Sequence, residues 1–295
     1  MFRYLRVKSK PEVVTAPAGN AQPEALTRDS QSPIRLAQIN DLPVPLKQRL
    51  YRGLVPASLL VKYGIDPISW MELGGAMRVQ LEARGGVAVV RITAGKTAAP
   101  RDAFYHVELA DNPFGGIDLN FLILSDPDSP YFATDFDEQG NPTLFGTVRR
   151  NLEAEQQAMA AGLAPAQVRS SLGASRDALQ QLEAFLVVLG QRAIFLEPLT
   201  YASAWVFERR GFAYVRGHKL MDEIHLQFQP GGLLHQALDN STAFRKPEQW
   251  NTVRGRAWAI HDDILQVIDQ RWDKLRMVKQ VGRHAGVETF PQASY

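Results

Sequence analysis

The sequence predicts an α+β fold, with a mixed, mostly antiparallel central sheet flanked by helices and a helical extension at the C-terminal end. Three observations carry this prediction. A hairpin pattern and two further strand patterns occupy residues 77–125. Helix and strand patterns then alternate over residues 172–228, and an apolar stripe with helical spacing occupies residues 258–278. Hydrophobic residues make up 45% and charged residues 22% of the 295, a composition typical of globular proteins.

The first elements are an arm and two helices. Residues 1–35 are predicted to form a flexible arm, because residues 9–34 hold few large apolar side chains and cannot bury enough surface to offset their ordering entropy. Order is predicted to begin near Leu36. Residues 45–63 carry leucines at helical spacing, and Pro56 is expected to divide them into two short helices.

Four strand patterns follow. Residues 77–83 alternate apolar and polar side chains, Arg84-Gly85-Gly86 supplies a turn, and residues 87–92 complete a hairpin. Residues 103–110 and 117–125 give two more strands. The second is apolar almost throughout after Asn120, as expected of a central strand covered on both faces.

Helices dominate the rest of the chain. Residues 126–144 resemble a long loop with a tight turn at 139–141, and 145–162 a polar helix. The strongest helical pattern covers 172–190, with Ser170 or Ser171 as N-cap and Gly190 as C-terminal stop. A strand over 193–197, a helix over 202–210 and a strand over 212–215 come next. Residues 224–228 fit a strand and a helix equally, and 258–278 read as one amphipathic helix.

The composition also narrows the function. The absence of cysteine excludes disulfides, thiolate catalysis and Cys-type zinc sites, and it suits a reducing cytoplasm. A net charge of +2 gives no reason to expect nucleic acid as a partner. No apolar run reaches the length of a membrane span, and no apolar core follows the basic start MFRYLRVKSK. We therefore predict a cytoplasmic protein that needs no metal, nucleic acid or membrane.

Two short stretches raise the question of a coenzyme site. Residues 169–174, RSSLGA, open the strongest helix directly after a loop, where exposed N–H groups and the positive end of the helix dipole can bind an anion. Small residues at Gly173 and Ala174 would let a pyrophosphate approach the backbone. Residues 207–212, FERRGF, indicate by themselves only a helix end, with Phe207 on the buried side, a left-handed Gly211, and three charged side chains facing water: Glu208, Arg209 and Arg210.

Together, the two stretches resemble the GNAT-type acyl-CoA N-acyltransferase superfamily. Arg169 matches the opening position of that family's coenzyme-binding segment and Ala174 its last small position, while Gly211 and Phe212 match the closing pair of a second segment. The resemblance covers about residues 77–228 and is sharpest over 169–217. The departures are Leu172 in place of a glycine, Phe207 in place of the tyrosine that often protonates the departing thiolate, and milder changes at Thr200, Ser203 and Val206.

The resemblance implies a domain, a co-substrate and a set of binding residues. The domain would cover 36–235, with 126–168 as an insertion and 236–295 as a helical extension. Acetyl-CoA or another acyl-CoA would be the co-substrate, without a metal, and an amine of unknown identity would attack the thioester directly. The implied coenzyme-binding residues are Arg169, Ser170, Ser171, Leu172, Gly173, Ala174, Ser203 and Phe207.

Carboxylates and tyrosines near the predicted cleft are the candidates for proton transfer. Glu197, at the end of a short strand, is placed best, and Glu108 and Asp118 lie on the two strands before it. Tyr201 or Tyr214 could replace the missing acid. For each carboxylate, a solvent-facing or hydrogen-bonded strand residue is the opposing interpretation, and for each tyrosine it is a structural role in the core.

Two other functions remain open at this point. The first is a GNAT-fold protein that binds CoA or another ligand, or a protein partner, without turnover, as Leu172 and Phe207 favour. The second is an α+β scaffold whose C-terminal helix mediates assembly; that helix would also be the contact of a homodimer. The sequence leaves the acceptor and the acyl chain length open.

Overall fold

The computed structural model describes residues 32–295, leaving out the side chain of Pro100. This part of the chain is α+β, with nine α-helices and seven strands that pair mostly antiparallel. It divides into two compact units. Of the described residues, the first holds 32–127, 171–196 and 280–282, and the second holds 128–170, 197–279 and 283–295. The predicted arm lies outside the described residues, except for positions 32–35.

Three short helices begin the first unit: α1 (Leu36–Asn40), α2 (Val44–Tyr51) and α3 (Ala57–Lys62). The predicted division at Pro56 is confirmed, because Pro56 stands at the N-cap of α3, where a missing N–H costs nothing. Asn40 is fully buried and ties α1 to the sheet. Its amide donates to the carbonyl oxygens of Val87, at 2.6 Å, and Val89, at 3.0 Å.

The sheet of the first unit has the order β1-β2-β3-β4-β5. Its first four strands form an antiparallel meander, and β5 runs parallel to β4. The four strand predictions over 77–125 are confirmed, although the side chains of Phe121–Leu124 are only half-buried. The strands are β1 (Val79–Glu82), β2 (Val89–Gly95), β3 (Ala103–Asp111), β4 (Ile117–Leu124) and β5 (Ala193–Leu196).

The strongest helical pattern is confirmed as α5 (Ser175–Val188), which buries one apolar face and is followed by Gly190 at φ 67°. Its predicted start was wrong by three residues. Neither Ser170 nor Ser171 is the N-cap; Ala174 is, without a side-chain hydrogen bond. The reason is that Ser171 still pairs with Ser125 in a β-bridge, so the chain is extended there.

The second unit contains the remaining helices and one antiparallel strand pair, β6 with β7. The ambiguous residues 224–228 belong to a helix, and the strand and helix predicted over 202–215 are confirmed within two residues. The elements are α4 (Leu152–Ala160), α6 (Tyr201–Arg209), β6 (Ala213–Arg216), α7 (His218–Gln227), α8 (Leu233–Gln236), α9 (Val253–His261) and β7 (Arg276–Gln280).

Two helix predictions in this unit need correction. The helix expected over 145–162 begins only at Leu152, because Leu144 and Phe145 have φ angles of 51° and 61° and cannot continue a right-handed helix. The long helix expected over 258–278 is absent. α9 ends at His261, a short 3₁₀ helix follows, and the chain then enters β7. The homodimer and scaffold interpretations placed their contact on this long helix, which the chain does not form.

The loop at residues 126–144 has the predicted turn. The Asp137 carboxylate accepts hydrogen bonds from the backbone N–H groups of Gln139 and Asn141, and Gly140 has a φ of 78°.

None of the helices described within residues 32–295 has both the length and the apolar character needed to cross a bilayer.

Candidate functional site

The central feature of the first unit is the point where β4 and β5 part. Their parallel pairing covers two residue pairs, Ile117 with Ile194 and Asp118 with Phe195. Strand β4 continues to Leu124, while β5 ends at Leu196. A cleft that opens between two parallel strands exposes backbone groups able to pair with an extended ligand.

The loop before α5 lies beside the far end of β4. The backbone N–H of Leu172 donates to the Leu124 carbonyl oxygen at 3.3 Å, and the Gly173 N–H donates to Ser171 Oγ at 3.3 Å. Ser171 and Gly173 are exposed, whereas Leu172 and Ala174 are half-buried. Gly173 has a φ of 70°, and a Cβ added there would meet no atom within 4 Å. The loop therefore presents open backbone at the N-terminal end of a 14-residue helix.

Strand β4 also carries an irregularity opposite Glu108. The register with β3 shifts between Glu108 and Leu109, so that Asn120 has no direct partner in the ladder. The Asn120 amide donates to Glu108 Oε1 at 2.9 Å, and Arg91 forms an ion pair with the other oxygen. Glu108 is 6% exposed. Both of its oxygens are occupied, which makes it a poorer base than the sequence suggests.

His106 lies two residues before Glu108 on β3. Its Nδ1 is 2.8 Å from Thr93 Oγ1, and the side chain is buried. Burial lowers the pKa of His106; Arg91 adds to this, while the carboxylates of Glu108 and Glu82 oppose it. A neutral, hydrogen-bonded histidine inside the sheet has a structural role.

The other predicted site residues belong to the second unit. The Arg169 guanidinium donates to the Ser129 carbonyl oxygen and lies 5.5 Å from the centre of the Tyr131 ring. Ser170 is exposed, and its N–H donates to Ser129 Oγ at 3.1 Å. Ser171 follows directly in the sequence, but the boundary between the two units lies between Ser170 and Ser171.

Glu197 is exposed and has one charged partner in its unit. Its Oε1 lies 3.3 Å from Arg276 Nη1. Ser203, in contrast, acts as a helix cap: its Oγ accepts from the Thr200 N–H at 3.0 Å, and Thr200 Oγ1 accepts from the Ser203 N–H at 3.2 Å. Phe207 is half-buried and packs edge-on against Phe212, with ring centres 5.1 Å apart. Of the three, Glu197 alone offers an accessible proton acceptor.

Tyr201 is buried more deeply than a surface acid would be. It is 1% exposed, and no acceptor for its hydroxyl proton lies within hydrogen-bond distance in residues 32–295. Burial raises the pKa of Tyr201 to about 12, against the opposing charge of the Arg256 guanidinium and its donation toward the hydroxyl oxygen. For Tyr214, burial and the neighbouring Glu208 carboxylate raise the pKa well above its ordinary value. Neither tyrosine is suited to rapid proton exchange at neutral pH.

The expectation that Glu208 faces water was wrong. Glu208 is 1% exposed, and its carboxylate accepts from Tyr214 Oη at 2.6 Å and from Thr289 Oγ1 at 2.7 Å. The signal was in the sequence, because Tyr201, Ala204 and Glu208 share the buried face of α6 at helical spacing. Arg256, fully buried on α9, is a second polar residue that the sequence analysis missed.

Residues 32–295 contain no group of three or more His, Cys, Asp or Glu side chains able to hold a metal ion. A cavity of about 200 Å³ in the first unit lies between α2 and β1, lined by residues that include Val44, Trp70, Met77 and Leu81. None of the predicted site residues lines this cavity.

Comparisons with known proteins add no assignment. No family model, no curated protein and no solved structure matches the chain.

Proposed function

We propose that the protein transfers an acyl group from acyl-CoA, with acetyl-CoA as the first candidate, to an amine. One observation carries the proposal: in the first unit, β4 parts from β5 after two residue pairs, and an uncapped helix N-terminus lies beside the end of β4. This combination suits a ligand that is extended and amide-bearing at one end and anionic at the other. Acyl-CoA has both properties.

The coenzyme would be held by backbone groups. The amide-containing arm of CoA would pair with β4 beyond Asp118, as an added strand does at an open sheet edge. Its pyrophosphate would accept hydrogen bonds from N–H groups at the start of α5, near Gly173 and Ala174. The irregular backbone at Asn120 is the candidate donor to the thioester carbonyl, where negative charge develops in the transition state.

The chemistry requires little beyond this. The amine nitrogen attacks the thioester carbon, the tetrahedral intermediate expels the CoA thiolate, and one proton leaves the nitrogen. Glu108 is engaged by Arg91 and Asn120, so Glu197 stays the sequence-based prediction for the proton acceptor. A thiol has an unperturbed pKa of about 8.5, so a thiolate can depart without an acid. Phe207 therefore does not rule out turnover.

A second function keeps the same site without turnover. Leu172 is half-buried within the loop, where the family resemblance implies a glycine, and Phe207 cannot donate a proton. Both features favour a protein that binds CoA or a related anion and releases it unchanged.

Calorimetric titration with acetyl-CoA and CoA tests the binding step. The informative pair is Gly173→Asp and Gly173→Asn, because both side chains have the same shape and both tolerate the φ of 70° found there. The added Cβ meets no neighbour, so strain is matched and only the charge differs. We expect Gly173→Asn to bind within a few-fold of the parent, and Gly173→Asp to bind at least about tenfold more weakly, or 1.4 kcal/mol.

Equal affinities in the two variants would place the anion elsewhere and refute the site. If binding depends on residue 173 as expected, an amine panel follows, with Glu197→Gln as the test of the base. A folded protein that binds acetyl-CoA but acylates no amine would favour the second function.

A further inference from the structure

The segment 284–295, HAGVETFPQASY, is held in the second unit in an unusual way. It contains no helix or strand, and most of its side chains are exposed. Two neighbouring residues are buried, with Thr289 6% and Phe290 2% exposed. A mostly exposed segment that buries only two adjacent side chains resembles a bound peptide more than a part of the core.

Thr289 is anchored to α6. Its backbone N–H donates to Glu208 Oε2 at 3.0 Å, and its hydroxyl donates to Glu208 Oε1 at 2.7 Å. Glu208 is thereby buried without a cation, satisfied by Thr289 and Tyr214. Recognition of both a backbone and a side-chain donor by one carboxylate selects for residue type and for backbone position.

Phe290 is anchored to Arg256. The guanidinium carbon lies 3.6 Å from the centre of the Phe290 ring, and the Phe228 ring lies 5.0 Å away. Arg256 is fully buried, and no carboxylate in residues 32–295 lies within ion-pair distance of it. The π faces of these two rings are the main groups that compensate its charge, together with hydrogen bonds to the Trp250 carbonyl oxygen and His225 Nδ1.

The flanks of the segment make further contacts. The Trp205 indole N–H reaches the Phe290 carbonyl oxygen at 3.5 Å, and Tyr295, itself 46% exposed, stacks on Trp205 at 5.6 Å. The N–H of Val253 donates to the Ser294 carbonyl oxygen at 2.9 Å. On the other side, the Ala285 N–H donates to the Gly211 carbonyl oxygen at 3.1 Å and Glu288 forms an ion pair with Arg209 at 3.0 Å, while Gly286 has a φ of 70° with open space around its Cα.

The groove under the segment also has binding capacity that the segment does not use. Arg256 Nη2 and the Tyr201 hydroxyl proton are both buried without an acceptor within hydrogen-bond distance in residues 32–295. Polar groups left unsatisfied in a core are costly, and natural interiors contain few of them. Arg256 lies against Phe290, one of the two side chains that the segment buries.

We propose that the α6–α9 groove is a peptide-binding site, which residues 284–295 occupy in cis as a detachable strap. The ligand class is an extended peptide carrying a Thr-Phe pair, with the threonine on Glu208 and the aromatic ring on Arg256. This inference is independent of the proposed acyl transfer.

The test uses the full chain, folded before it is cut. A protease recognition sequence is inserted between Gly282 and Arg283, both exposed. After cleavage, excess fluorescein-labelled peptide of residues 284–295 is added, and its uptake is followed by anisotropy and by mass spectrometry. The uncut chain, a Phe290→Ala peptide and a cut Glu208→Gln chain are the matched controls.

We expect the cut chain to stay folded by circular dichroism and to exchange its strap for the labelled peptide. The uncut chain should take up none. The Phe290→Ala peptide should bind about 30-fold or more weakly, as expected for loss of a buried aromatic anchor, and Glu208→Gln should weaken the parent peptide about tenfold. Unfolding on cleavage, retention of the strap without exchange, or equal binding of the Phe290→Ala peptide would each overturn the proposal.

Discussion

Replacing Tyr201 with phenylalanine tests whether its hydroxyl takes part in catalysis or is only a buried polar group whose proton has no acceptor. The pKa of Tyr201 is raised to about 12, so the hydroxyl keeps its proton at neutral pH. That proton needs an acceptor, and the nearby Arg256 guanidinium contains only donors. The hydroxyl proton is therefore buried without an acceptor.

The expected magnitude follows from this environment. A buried hydroxyl that lacks a partner costs about 1–3 kcal/mol. Phenylalanine keeps the ring and its edge contact with Trp272, whose centre is 6.1 Å away. We expect Tyr201→Phe to increase the free energy of unfolding by about 1 kcal/mol, or roughly 2–4 °C in melting temperature for a domain of 150–250 residues.

Tyr105 supplies the matched control. It is also 1% exposed, but its hydroxyl donates to the Leu54 carbonyl oxygen. Tyr105→Phe leaves that buried oxygen without its donor, so we expect a loss of about 1–2 kcal/mol. The same chemical change should therefore have opposite signs at the two positions.

Urea unfolding, followed by circular dichroism and by fluorescence, measures both changes. A loss of stability in Tyr201→Phe similar to that in Tyr105→Phe would refute the reasoning, because it would mean that the Tyr201 hydroxyl has a partner. Once an acceptor amine is known, a fall in kcat at unchanged stability would instead restore a catalytic role for Tyr201.

Two further predictions concern the same unit. Glu208→Gln should lower the free energy of unfolding by about 2 kcal/mol or more, because an amide nitrogen cannot accept a hydrogen bond from Tyr214 or Thr289. Urea unfolding measures this change, with Glu138→Gln at an exposed position as the control. Equally small effects in both variants would count against the hydrogen bonds of Glu208. Stability should also fall as the pH drops below about 6.5, since burial and Arg256 lower the pKa of His225 in the folded state and the unfolded chain then binds more protons. Melting temperatures at about pH 7.5 and about pH 5 check this, and His225→Gln should reduce the difference between them.

The elements that the sequence predicted correctly are those whose signal is local. Strands β1 to β4 alternate or carry continuous apolar runs, α5 has a full apolar stripe, and Pro56 and Gly190 mark helix boundaries through their own backbone chemistry. In each case, the residues that determine the element lie within it or directly beside it in the sequence.

The C-terminal tail is a segment whose structure local signals did not predict, because the helix expected over 258–278 does not form. Part of its predicted apolar stripe is buried, with Ile260 at 6%, Ile264 at 0% and Leu275 at 3% exposed, whereas Val267 of the same stripe is 46% exposed. The helix ends because Asp263 and Asp269 adopt φ angles of 58° and 53°. Non-glycine residues reach that region only when surrounding structure holds them there. The pattern therefore predicted the burial of some residues, but neither the exposure of Val267 nor the direction of the chain.

The candidate site divides in the same way. The open loop at Gly173 was predictable, because a glycine before a strong helix is a local signal, and its binding of an anion stays a prediction. The role of Glu208 was not, since its partner Thr289 lies 81 residues further along the chain. The helical spacing with Tyr201 and Ala204 puts Glu208 on the buried face of α6, but it does not indicate which distant segment the carboxylate binds.

The two proposals of function rest on different units and can therefore fail separately. The coenzyme hypothesis depends on β4, β5 and the start of α5, and Gly173→Asp against Gly173→Asn tests it through charge alone. The strap depends on Glu208 and Arg256, and peptide exchange tests it without any coenzyme. If CoA binds and the strap does not exchange, residues 284–295 are a structural part of their unit. If the strap exchanges and CoA does not bind, the protein is a peptide receptor first, and the sequence resemblance to acyltransferases carries no function.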